Sequence, residues 1–191
     1  MIELQHISVK LLLKEQEGID LSALVPVFHG WIQNQVFEEL LIDVADYRHV
    51  PDGPGVMVIG HEADYSVDNN DGRLGVRYAR KAILNSNNQQ RLAQATRCAL
   101  AAAQRLEEDP TLNRKFCFNG RDLEIVINDR LLAPNTPEIR QVVEPEIRGL
   151  ADRLFGEGEY QLSWQTDPRR LLGASLKAAH AITTQDISKV T

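Results

Sequence analysis

Eight side chains able to move a proton or bind a divalent cation fall within one stretch of 22 residues: Asp43, Asp46, Tyr47, His49, Asp52, His61, Glu62 and Asp64. They surround the turn-rich run Pro51-Asp-Gly-Pro-Gly55, and strand–loop junctions are where rigid scaffolds tend to carry their sites. Two chemistries suit these residue types. His49, His61 and Asp64 make a candidate ligand set for a divalent metal, because imidazole and carboxylate are common donors to such ions. His61, Glu62, His49 and Asp46 make a candidate acid–base set, in which a carboxylate holds an imidazole in one tautomer. No established metal motif has this spacing. Each group also has a structural use: Arg73 and Arg77 are available to the carboxylates, Asp52 suits a turn, and His61 is expected partly buried on the apolar face of a hairpin.

Other segments carry weaker signals. Gly53-Pro-Gly55 can aim backbone N–H groups at an anion, but proline removes one donor, so a sharp turn is the expected use. Asn128-Asp129-Arg130 would complete a cleft if it lay beside His61 and Glu62. Arg169-Arg170, after Asp167-Pro168, can meet a phosphate and is otherwise an exposed turn. Trp31 is expected in the core rather than stacked on a ligand. Cys98 and Cys117 have no histidine beside them in sequence, and their spacing fits neither a disulfide framework nor a zinc site, so both are expected as free thiols. The phosphate-loop, dinucleotide, zinc-protease and nucleophile-elbow signatures are all missing, which removes the usual marks of several large enzyme classes.

The elements that must position these groups are legible from periodicity. Residues 9–13 and 40–49 read as strands. Between them Leu24, Phe28, Trp31 and Ile32 recur as one helical face, with Asp20 or Ser22 as the cap. A hairpin follows around Asn69-Asn-Asp-Gly72. Its pairing, whether Asp68 meets Arg73 or the register shifts by two about Asp71-Gly72, puts Tyr65, Val67, Leu74, Val76 and Tyr78 on a core face. Asp64 and Asp68 then share an exposed charged face with Arg73 and Arg77, where a single pair is screened by water. Ser86 to Gln89 has the form of a capping box and opens a helix over 89–108 with an alanine-rich stripe. Phe116 to Ile127 reads as a second hairpin about Asn119-Gly120, and Thr136-Pro137-Glu138 starts a helix that Pro145 should kink or split. Tyr160 to Gln165 is a last strand, and 170–179 is strand or helix.

This order predicts an α+β fold, a mainly antiparallel sheet with about three helices packed on one face. One domain over residues 1–180 and a frayed tail over 181–191 are expected from a chain of 191 residues without linkers. A formal charge of -6 predicts no non-specific nucleic-acid binding. No apolar run reaches a membrane span, and no leader precedes the first strand, so a cytoplasmic protein without membrane attachment is expected. The alanine stripe and half-apolar strand edges predict a homodimer. The sequence specifies neither a cofactor nor a small-molecule ligand. Because every polar group singled out has a structural use, the favoured function is a non-catalytic binding or assembly domain. The alternative is a metal-dependent or His/carboxylate acid–base enzyme using residues 43–64.

Overall fold

Strict alternation along the strands sorts side chains onto two faces of one sheet. The computed structural model describes residues 2–183 together with 186 and 189. Eight strands, β1 (Ile7–Leu13), β2 (Leu41–Tyr47), β3 (Gly55–Gly60), β4 (Ala63–Asp68), β5 (Gly75–Arg80), β6 (Phe118–Ile127), β7 (Tyr160–Trp164) and β8 (Leu172–Ala178), pair antiparallel in the order β2-β3-β4-β5-β1-β6-β8-β7. The helices are α1 (Leu24–Gln33), α2 (Asn88–Glu108) and α3 (Pro137–Phe155). The fold is α+β, as the element order implies.

One row of paired residues crosses all eight strands on the core face: Val44, Val58, Tyr65, Tyr78, Val9, Ile125, Ala174 and Trp164. The helices pack on this face. Trp31 of α1 meets the Tyr65 ring edge-on, Gln94 of α2 donates to the Tyr78 hydroxyl, and the Tyr160 hydroxyl donates to Asp152 of α3. The alanine stripe of α2 (Ala95, Ala99, Ala102, Ala103) is fully buried within the chain, with β1 and β5 beneath the helix. Small side chains let helix and sheet approach closely there, so the stripe is not a surface for a second copy. At the β2 edge, a bulge between Leu41 and Asp43 and the exposed acids Asp43 and Asp46 blunt the strand against pairing with another chain.

Several local expectations are corrected. Residues 116–127 do not fold as a hairpin. Asn119 accepts from the N–H groups of Arg121 and Asp122, and Gly120 takes a positive φ, so the chain bulges and continues as β6, with Phe118 opposite Leu13 and Leu123 opposite Leu11. The Asn-Gly pair supplies a bulge there because β1 is present to pair with both sides of it. The capping box lies one residue on from the expected position, between Asn87 and Gln90. Of the two outcomes expected at Pro145, a kink or a split, the split does not occur, since α3 continues through it. The stretch 170–179 contributes strand β8. In the β4–β5 hairpin the register is the one centred on Asp71-Gly72, pairing Asp68 with Gly75 and Tyr65 with Tyr78. Of the expected tail, Ile182 is buried and its N–H donates to the Gly120 carbonyl, while most residues beyond Thr183 lie outside the described ones.

Candidate functional site

The polar stretch 43–64 is divided by the pairing of β2 with β3. Tyr47 pairs with Gly55 at one end and Leu41 with Gly60 at the other. His49 lies beyond the first end and His61 beyond the second, on the order of 20 Å apart at about 3.4 Å per residue. The structure therefore brings neither the metal set His49, His61 and Asp64 nor the acid–base set His61, Glu62, His49 and Asp46 together. Among the described residues, no group of three or more His, Cys, Asp or Glu side chains is placed to hold a metal ion.

At the first end, Asp46 accepts from Arg48 Nε and Nη2 at 2.8 and 2.6 Å, and these bonds lower its carboxyl to about 2. Tyr47, His49 and Asp52 are exposed, and Asp43 accepts from the N–H of Val44. Proline and glycine shape the turn between the strands: a Cβ at Gly55 would run into the Val67 carbonyl. At the second end, His61 is exposed rather than partly buried. Glu62 pairs with Arg80 at 3.4 Å, and Asp64 pairs with Lys81 at 2.7 Å. The carboxylates do have structural partners, but these are Arg48, Arg80 and Lys81 rather than Arg73 and Arg77.

Arg73 and Arg77 belong to a different place, the face of the sheet that the helices leave uncovered. A second row crosses the eight strands there: Ala45, Met57, Ser66, Arg77, Lys10, Glu124, Ser175 and Ser163. At its centre Lys10 is 1% exposed and Asp68 is 0% exposed. The Lys10 ammonium donates to Asp68 Oδ1 at 2.5 Å, and Arg77 Nε lies 3.1 Å from Asp68 Oδ2. With its amide turned to satisfy both neighbours, Asn70 accepts from Arg77 Nη1 and donates to the Asp52 carbonyl. Beside Lys10, Glu124 accepts from Arg73 Nη1 at 2.6 Å. The expectation that Asp68 lies on an exposed, screened face is corrected, because this face is partly roofed. The β4–β5 turn and the β7–β8 loop meet over it where Arg170 clasps Asp71.

Between these loops lies a groove of about 890 Å³. Its floor is built of small residues, Ser8, Ala79, Gly173, Ser175 and Ser163, and its sides carry Arg73, Arg77, Arg130, Arg169 and Arg170 against only Asp71 and Glu124. Both acids are already ion-paired. The lining includes no histidine, cysteine, lysine or tyrosine, so it offers hydrogen-bond donors and fixed positive charge, and its hydroxyls, Ser8, Ser163, Thr166 and Ser175, have no imidazole or amine beside them in the lining to act as a base. Asn128 and Arg130 line this groove, whereas Glu62 and His61 sit on the turn into β4, three strand spacings away or about 15 Å. Arg169 and Arg170, expected as an exposed turn, form its rim.

Compared with known proteins, the chain matches no family model, no curated protein and no solved structure. Among the described residues, no helix is long and apolar enough to cross a membrane.

One further polar cluster lies under the helices. The Tyr65 hydroxyl donates to Glu39, and burial pushes the Glu39 carboxyl up. Gln94 donates to Tyr78 and to Cys98 Sγ, and burial with the nearby Glu39 charge raises the Cys98 thiol to about 11. That shift leaves Cys98 a poor nucleophile at neutral pH. Both cysteines are free.

Proposed function

We propose that this chain is a non-catalytic binding domain that holds a small ligand in the groove on its helix-free sheet face. The observation that carries the reading is the lining: hydrogen-bond donors and five arginines on a floor of small side chains, with its two acids ion-paired and no histidine, cysteine, lysine or tyrosine. A volume of about 890 Å³ suits a small molecule, for which sites of roughly 300–1,000 Å³ are usual. The test works whatever the identity of the ligand. Equilibrium dialysis of the protein against a deproteinised cell extract should retain one small molecule, and Ser163→Trp, which fills the groove from the exposed β7 edge, should lose it. Equal retention by both proteins overturns the reading.

Assembly with a second copy is the other reading, and the specific observation for it is exposed Leu40 and Ile42 at the β2 edge. Light scattering at micromolar concentration that returns the mass of one chain excludes it.

A further inference from the structure

Lys10 and Arg77 both depend on one anion, Asp68, which is itself fully buried. The next acid in the row, Glu124, is engaged by Arg73. Within the buried trio of Lys10, Asp68 and Arg77 two cations share one anion, while Arg73 is met by both Glu124 and Asp122. The side chain that carries this excess to the groove is Arg77, since it lines the groove while Lys10 and Asp68 lie below. Its Nε finds no well-directed hydrogen bond despite the short approach to Asp68, and it is a buried atom. Farther along the groove, exposed Arg130 makes no side-chain hydrogen bond or ion pair with any described residue. The remaining arginines show which chemistry they accept: Arg73 holds the carboxylate of Glu124, and Arg170 holds that of Asp71 in two bonds of 2.6 and 2.7 Å. Planar guanidinium groups match oxyanions of this geometry.

We propose that the groove ligand carries an oxyanion, a phosphate or a carboxylate, which seats against Arg77 with Arg130 reaching it from the open side. This inference rests on the reading of the helix-free face as the binding surface. The bound oxyanion supplies the negative charge that the Lys10, Asp68 and Arg77 group lacks. The carboxylates of Glu124 and Asp71 flank the seat and act as competitors within the chain, so only a ligand with its own complementary shape or second anionic group displaces solvent there.

The probes are pyrophosphate and citrate, titrated calorimetrically at low salt into the wild-type protein, Arg77→Gln, Arg130→Gln and the remote control Lys115→Gln. At least one probe should bind once per chain with a Kd below about 1 mM, and the affinity should fall at least about tenfold in Arg77→Gln. Arg77→Gln leaves Lys10 and Asp68 as a balanced pair, so it should fold. Arg130, with no partner to lose among the described residues, gives a second variant in which weakened binding is not ascribed to unfolding. Tighter pyrophosphate binding identifies a phosphate ligand and tighter citrate binding a carboxylate. Binding unchanged in both arginine variants, or weakened equally in Lys115→Gln, overturns the proposal. If neither probe binds while dialysis still shows a molecule lost from Ser163→Trp, the oxyanion seat fails and the binding groove stands.

Discussion

Arg170 and Asp71 lie 99 residues apart and are joined by two parallel hydrogen bonds of 2.7 and 2.6 Å. The pair ties the β7–β8 loop to the β4–β5 turn across the sheet and roofs one end of the groove. Both side chains are about half exposed, so solvent screens the pair, and a double-mutant cycle of Asp71→Ala with Arg170→Ala should give a coupling under about 1 kcal/mol in urea unfolding. Arg170 lowers the Asp71 carboxyl below its ordinary 3.8. The contribution is thus complete above that value and is lost as pH falls through the lowered one, so the coupling should vanish in acid. A coupling that grows on acidification would contradict the clasp.

Asp68→Ala is expected to be as damaging as a core truncation. Removing it leaves Lys10 and Arg77 without their anion, at about 3–5 kcal/mol. Tyr78, fully buried on the opposite face, should cost about 3–5 kcal/mol on change to alanine. A urea midpoint for Asp68→Ala close to that of the wild type would show the ion group to be solvated.

Glu39 sets a pH dependence of the opposite sign to that of Asp71. Burial raises its carboxyl above 4.5, so the folded state holds the proton more tightly than the unfolded chain. Stability from this group is greatest below 4.5 and declines as pH rises through the raised value. Glu39→Gln keeps an acceptor for the Tyr65 hydroxyl without a titrating group. The wild type should therefore lose stability relative to Glu39→Gln as pH rises from 4.5 through the raised value, and a difference that stays constant with pH would refute the assignment.

His49 and His61 should be dispensable for folding. Both are exposed, at opposite ends of one hairpin, and each alanine variant should unfold within about 0.5 kcal/mol of the wild type. Chelator should leave all three melting temperatures alike. Loss of one equivalent of tightly bound metal in either variant would require an arrangement different from this one.

The two thiols should separate kinetically. Cys98 is raised to about 11 by burial and by Glu39, whereas Cys117 sits half-buried in the loop before β6 and reaches only the Arg114 carbonyl. Iodoacetamide near neutral pH should modify Cys117 first. Equal rates would mean that the packing of α2 over Tyr65 and Tyr78 opens readily.

Local pattern is sufficient for the core face and insufficient for the groove. Tyr65, Val67, Val76 and Tyr78 are legible because period-two alternation around a strong turn leaves one apolar face in either register. Lys10 shows the opposite case. A lysine within an apolar strand signals a buried, paired charge, since lysine is seldom buried otherwise, yet its partner Asp68 lies 58 residues away and only the sheet order brings them together. Arg77 is visible as a cation beside acids, but which acid it meets depends on the β4–β5 register, which sets Ser66 opposite Arg77 and leaves Asp68 as its diagonal neighbour. The histidine cluster fails for the converse reason: closeness in sequence becomes separation once β2 and β3 run antiparallel between the two rings.

The placement of β1 also bears on how the chain acquires its structure during synthesis. β2 through β5 pair each with the next, a meander that can form as it emerges. β1 precedes the other seven strands yet is enclosed only after β6 has emerged, because both its neighbours, β5 and β6, follow much later in the chain. Joining it to β5 closes a loop from Leu13 to Gly75, with an entropy cost met before any of its contacts form. Folding should then be slow for a chain of this size, with β1 left unpaired along its β6 edge until Ile127 has been made.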